Sequence, residues 1–370
     1  MVERPRSRRP ERWARVAMVT FLADLTIFNL YQVWIAFPHK LIESDFRIWY
    51  AAATIGPRWG WQALYDTNVQ RQAVSAVWPG SLYLPFANPP PAAWIVLPFT
   101  LVPFGAALAL WTVLSLALVV AISQAYAGPE RWKRAAFALS ALGFLPVFVM
   151  VEAAPLSPVV VAGVAACALL LKRGREIAAG LALSLIIVKP NLAVVVPFAV
   201  LAAGYLRAFT AWLAASVFLF VISLLAIGAK GLESFIALNV AYLAEGYHLT
   251  YSLAELVGGG LPFAIAAIVI GVLALVAARV WGTSDPRIAI AAGITGSLLI
   301  NHHLTPADFI ILLVPVWFVI TASVPPYLRL VAGGLWAAGW TSSLGLAWPV
   351  IGMELLLLIA LLVPRKRATA

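Results

Sequence analysis

The feature that most constrains this chain is a series of twelve apolar runs separated by short polar or basic connections. They cover roughly residues 16–37, 105–126, 135–151, 156–171, 177–189, 191–204, 208–228, 261–279, 288–301, 308–323, 330–343 and 346–363. A helix of about 20 apolar residues crosses the hydrocarbon layer of a bilayer, and backbone polar groups at that depth are satisfied only within helices or closed barrels. With 63% of 370 residues hydrophobic and 11% charged, no water-soluble fold has an interior large enough to hide the apolar surface. The expectation is an all-α polytopic membrane protein of about twelve transmembrane helices. A soluble enzyme, a disordered chain and a free nucleic-acid binder are excluded. The net charge of +10 does not restore the last of these. Six basic residues lie in the first fifteen positions, and Arg365, Lys366 and Arg367 close the chain, flanks that hold helix ends on the cytoplasmic face. The single cysteine, Cys167, sits in an apolar run and is read as a packing residue.

Charge also sets the expected topology. Residues 1–15 form a basic cytoplasmic arm, 16–364 a single transmembrane unit opened by a signal-anchor helix, and 365–370 a basic tail. The first outer loop is 38–88 and the second 229–260. Both termini are placed inside, with a helix break at Lys189-Pro190, where proline removes a donor and clashes with the preceding turn. Residues 89–126 are read as one span plus a short surface-lying helix. This arrangement leaves 19 of the 25 Lys and Arg residues on the inner side, as the positive-inside rule favours. The membrane expected is a bacterial-type plasma (inner) membrane.

The remaining polar residues then gather on the outer face. Glu43, Asp45 and Asp66 fall in the first loop, Glu152 at the next outer turn, and Lys189 at the outer end of its helix. Asn301, His302, His303, Thr305 and Asp308 fall at a later turn. Ionisable residues at membrane depth are costly and usually functional. Phe46, Trp49, Tyr50 and Ala53 follow helical spacing, and such an aromatic face suits an amphipathic helix lying in the membrane interface. Asp45 would start that helix, either as its cap or as a catalytic carboxylate. Glu43 and Asp45 together offer a divalent metal only two ligands. Lys189 is either a snorkelling helix-end lysine or a point charge for a phosphate. The adjacent His302 and His303 point different ways on a helix, so one of them donating a hydrogen bond is a better reading than a shared metal site.

Several of these residues, taken in order, resemble glycosyltransferase family 87. The resemblance is carried by Ser44-Asp45-Phe46 with Tyr50-Ala51-Ala52, Leu64-Tyr65-Asp66, and Pro85-Phe86 with Pro89-Pro90. It continues through Leu101-Val102-Pro103, Ala109-Leu110-Trp111, Ala179-Gly180-Leu181 and Lys189-Pro190 to the turn from His303 to Asp308. Asn88 stands where family members often carry a tyrosine, and no glutamine precedes Ser157-Pro158. The resemblance implies a GT-C membrane glycosyltransferase whose donor is a polyprenyl-phosphate sugar, most often mannose. Its acceptor would be a glycolipid or glycan on the outer face. It implies Asp45 as general base, and Lys189, His303, His302 and Arg47 around the donor phosphate. Glu43, Tyr50, Tyr65, Asp66, Asn88 and Asp308 would surround the substrates. No metal or other cofactor is expected. A pentose transferase on the same scaffold, a lipid or solute transporter or flippase, and a non-catalytic envelope partner are the alternatives.

Overall fold

The computed structural model describes residues 9–40, 44–80, 82–244, 251–282 and 284–363. Among them are seventeen α-helices, five short 3₁₀ helices and no strand. The first apolar run is α1 (Arg9–Lys40). The loop after it folds as α2 (Phe46–Trp59) and α3 (Thr67–Val77), and a helix-free segment, 82–89, leads into α4 (Pro90–Val96). Then come α5 (Phe104–Ala127), α6 (Arg131–Leu142) and α7 (Leu145–Ala153), the last bent by 54° from α6. Next are α8 (Ser157–Lys172), α9 (Glu176–Leu183), α10 (Val196–Ala202) and α11 (Leu206–Ala244). The fold is completed by α12 (Leu253–Val257), α13 (Gly260–Gly282), α14 (Pro286–Leu299), α15 (Leu313–Thr321), α16 (Pro326–Ser342) and α17 (Trp348–Leu362).

Each apolar run falls on a helix or a helix pair, so the all-helical membrane fold stands. Helix length does not yield twelve crossings. Among the described residues, four helices are long and apolar enough to cross a membrane, and the bent pair α6–α7 makes five. α8, with 16 residues, reaches about 24 Å against a hydrocarbon core of about 30 Å.

Three expectations are corrected. α11 does not stop at residue 228; it kinks there, at Gly228 with φ 63°, and continues through much of the expected second loop. Lys230 and Glu233 end the apolar run but not the helix, because charge does not oppose helical backbone. A left-handed residue does, and glycine takes that conformation at no steric cost. α4 does not lie on the surface: Pro90, Pro91, Ala92, Ala93 and Val96 are buried. α2 forms where its periodicity predicts, but residues 46–55 are all buried within the protein. Phe46 stacks on Trp111 (centroids 5.5 Å apart) and Phe104 (6.2 Å), Tyr50 meets Phe104 edge-on (5.5 Å), and Trp49 meets Phe86 (5.8 Å). Each such pair adds about 0.5–1.5 kcal/mol beyond area burial. The aromatic face was legible in the sequence; its partners come from residues 86–111, which the spacing within α2 cannot reveal.

Candidate functional site

Asp45 sits immediately before α2, and its backbone N–H donates to Ala153 O at the end of α7 (2.8 Å). Its carboxylate makes no capping bond to α2, so the capping reading is not the one the geometry adopts. Burial pushes the Asp45 carboxyl up to about 6, Lys189 pulls it down, Asp308 pushes it up and Arg47 pulls it down. These four groups form one charged cluster. Arg47 is buried, and its guanidinium donates to Leu82 O (3.1 Å), which ties α2 to the 82–89 segment.

Lys189 enters from a broken helix. α9 runs on through a 3₁₀ stretch, Ser184–Val188, the backbone turns away at Lys189 (φ −151°, ψ 73°), and Pro190–Leu192 resumes as another 3₁₀ turn. The break therefore lies at the Lys189-Pro190 step that the sequence singled out. Lys189 Nζ donates to Asp308 Oδ1 (2.5 Å). Asp308 is fully buried and also accepts from Ser157 Oγ (2.6 Å) and from the Thr305 N–H and hydroxyl (3.1 Å each). A buried carboxylate with four donors is well satisfied, whereas an unmatched one costs several kcal/mol. Asparagines stitch the break to the later turn. Asn191 Nδ2 donates to His303 O (3.4 Å), Asn301 Nδ2 donates to Asn191 O (3.3 Å), and Asn301 Oδ1 accepts from His303 N–H (3.1 Å). Asn88 Nδ2 donates to Val188 O (3.1 Å), and Tyr65 hydroxyl donates to Asn88 O (2.7 Å). The 82–89 segment, denied helix by its prolines, thus closes one side of the site. Gln70 holds it from α3, donating to Leu64 O and Phe86 O and accepting from Tyr83 hydroxyl and Phe86 N–H.

The structure brings Asp45, Arg47, Lys189, His303 and Asp308 together. Burial lowers the His303 pKa, with Asp308 opposing and Lys189 and His302 reinforcing. The shift favours the neutral imidazole, which can donate one hydrogen bond. His302 is exposed, with its carbonyl taken by Ser252 Oγ (3.2 Å), so His303 is the member of the pair that belongs to the cluster. Other expected site residues have structural tasks. Tyr50 is buried among aromatics and donates to Val102 O (2.8 Å). Asp66 caps α3 by accepting from Asn68 N–H (2.9 Å) and Val69 N–H (3.2 Å). Tyr65 and Asn88 brace the wall beside Lys189. Asp308 is buried beside Lys189, its carboxylate taken up by Lys189, Ser157 and Thr305. Glu43 lies outside the described residues. Ser157, Asn191 and Gln70 were not foreseen as site supports. A polar amide or hydroxyl beside a proline-broken helix is the signal that could have found the first two.

Among the described residues no group of three or more His, Cys, Asp or Glu gathers as a metal site would. The cationic and hydrogen-bond-donating groups of the cluster are Lys189, Arg47 and the imidazole of His303. The family model of glycosyltransferase family 87 matches residues 86–306, more than half of the chain. The chain belongs to glycosyltransferase family 87. The match contains Asn88, Ser157, Lys189, His302 and His303; it begins after Asp45 and ends just before Asp308. No curated protein and no solved structure matches. The chain is thus a family 87 glycosyltransferase with the apolar helices of an integral membrane protein, acting between a sugar donor and an acceptor.

Proposed function

We propose that this family 87 enzyme moves a sugar, mannose first among the candidates, from a polyprenyl-monophosphate donor to a hydroxyl of a lipid or glycan acceptor. The scaffold would be of the GT-C type, and the reaction would take place on the outer face of the plasma membrane. The observation that carries this reading is the Asp45 carboxylate, unused by its own helix and clustered with Lys189. The acceptor oxygen attacks the anomeric carbon with inversion. Its proton passes to Asp45, and the lipid phosphate leaves with the electron pair of the broken C–O bond. Asp45 titrates near 6, close enough to neutral pH to be ionised and still basic, which is what general-base catalysis needs. Lys189 meets the charge that grows on the departing phosphate, and His303 offers it a hydrogen bond. Preorganised donors of this kind supply the largest share of many catalysed rates. Asp308, Ser157 and Asn191 hold the lysine and the turn in place.

The decisive experiment is transfer from labelled polyprenyl-phosphate mannose in membranes containing wild type or Asp45→Asn at matched expression. Product in the wild type alone supports the reading, and equal product in both removes Asp45 from the chemistry. Product only from a pentose donor corrects the sugar, while lipid movement without transfer identifies a flippase. We also propose that no divalent metal is needed: turnover should survive EDTA, and loss restored by added metal would overturn this. A cysteine placed beside Asp66 should react with an impermeant reagent from outside only; labelling from the cytoplasm would invert the topology. Native Cys167 is fully buried and does not compete.

A further inference from the structure

At the end of the molecule away from Asp45 lies a cleft of about 790 Å³ between α1, the end of α5, α6, α15 and α16. Asp308 opens the helical run Pro306–Thr321, and Thr321, at its far end, lines the cleft. The two are separated by about 20 Å of helix, so the cleft is not part of the candidate site. Its volume is within the roughly 300–1,000 Å³ typical of small-molecule sites.

Its walls and its mouth differ in chemistry. Phe21, Tyr126, Phe137, Trp317 and Trp336 make the walls. The polar atoms they carry are already bonded within the protein. Tyr126 hydroxyl donates to Ala165 O (2.6 Å), Trp317 Nε1 to Ser140 Oγ (3.3 Å) and Trp336 Nε1 to Ser140 O (3.0 Å). The aromatic walls therefore present mainly hydrocarbon surface. The mouth carries Trp132, Lys133 and Arg329. Lys133 pairs with Glu130 and lies over the Trp132 ring. Arg329 donates to Ala322 O (3.2 Å) and, among the described residues, pairs with no carboxylate. Arg15, from α1, stacks over the Trp132 ring while pairing with Glu11 (3.2 Å). Three cations, Lys133, Arg329 and Arg15, thus stand against two carboxylates, Glu130 and Glu11.

An apolar slot with an unbalanced cationic mouth and an indole at the boundary fits an amphiphile with hydrocarbon chains and an anionic head. We propose that this cleft is a binding site for one anionic phospholipid of the surrounding bilayer, held by its phosphate at Lys133 and Arg329. A polyprenyl-phosphate donor is not the assigned occupant, because the cations and carboxylate proposed to act on it lie at the opposite end.

The test titrates detergent-purified, full-length protein with phosphatidylglycerol or phosphatidylcholine of identical acyl chains and counts bound lipid by native mass spectrometry. One phosphatidylglycerol should be retained with an advantage of about tenfold or more, as two surface cations provide. The double variant Lys133→Gln with Arg329→Gln should reduce phosphatidylglycerol to the phosphatidylcholine level. Gly333→Phe should displace both lipids: Gly333 lines the cleft, and a Cβ added there has no atom within 4 Å. Elution profile and melting midpoint report folding for each variant, and Gly333→Leu replaces the larger change if that one misfolds. Equal retention of the two lipids, or retention unchanged in the charge variant, would mean annular lipid only and would overturn the site. Preferential retention of polyprenyl phosphate over phosphatidylglycerol would overturn the assignment of its occupant.

Discussion

Replacing Asp308 by asparagine removes the charge beneath Lys189 while preserving its shape. The side chains of Asp308 and Lys189 are 1% and 16% exposed. Breaking a buried ion pair by deleting one partner costs about 3–5 kcal/mol. Lys189 keeps some solvent and has Asp45 nearby, so the lower end, about 3 kcal/mol, is expected for Asp308→Asn. Lys189→Met leaves a carboxylate that still accepts from Ser157 and Thr305, and a similar or smaller loss follows. The double variant leaves no orphaned charge, so the two losses should not add; a coupling of about 1–3 kcal/mol is expected for neighbours in one network. Sugar transfer should be lost in all three proteins, falling by about 10²–10³ for a misplaced electrostatic group. Melting midpoints of the purified proteins, read by tryptophan fluorescence beside the transfer assay, separate the two effects. A double variant whose destabilisation equals the sum of the singles, or an Asp308→Asn protein as active as wild type, refutes the reasoning.

The other expectations are more local. Burial holds the Asp45 pKa near 6, above its ordinary 3.8; the folded state therefore keeps the proton where the unfolded chain releases it. That contribution to stability is fully present below about pH 4 and is lost as pH rises through about 6. Transfer runs the other way, rising through about pH 6 as the base ionises. Asp45→Asn should accordingly melt higher than wild type at pH 7.5 while losing about 10²–10⁴ in rate; equal melting at that pH would contradict the assigned burial. Asp66→Ala should cost about 1 kcal/mol as a lost helix cap, and Tyr50→Phe about 1 kcal/mol as a lost hydrogen bond. Neither should change the rate of transfer by more than a few-fold, and a collapse of activity at matched folding would return them to the site.

The sequence revealed most where one physical rule acted alone. Apolar runs marked every helix that carries them, because the bilayer and the protein interior demand the same composition. The break at Lys189 was visible because a charge and a proline coincide in an apolar stretch. The convergence of Asp45, Lys189 and His303 was visible because Lys and Arg fix orientation independently of the acids and histidines. What stayed hidden was partnership. Asp66 and Asp45 are both acids at helix starts, yet one is spent on backbone amides and the other is not, a difference set by side-chain direction. Tyr50 reads as a candidate contact for a sugar until Phe104 and Val102 occupy it. Asp308 reads as a surface acid of the turn until Ser157, 151 residues earlier, closes over it. The number of crossings stayed hidden because half-length helices can be buried by neighbours instead of by lipid.

The ion pair also has a history in time. Lys189 is synthesised 119 residues before the carboxylate that neutralises it. During that interval the nascent chain carries an unbalanced cation in an apolar setting, a burden of about 2.5–3.5 kcal/mol at the centre of an inserting helix. On the proposed topology, the break at Pro190 lets the lysine wait at the water boundary instead of within the lipid. Its final seat exists only after α14 and the turn behind it have emerged. Assembly of the proposed site is therefore a late event in biogenesis, and a chain released before residue 308 lacks the carboxylate beneath Lys189.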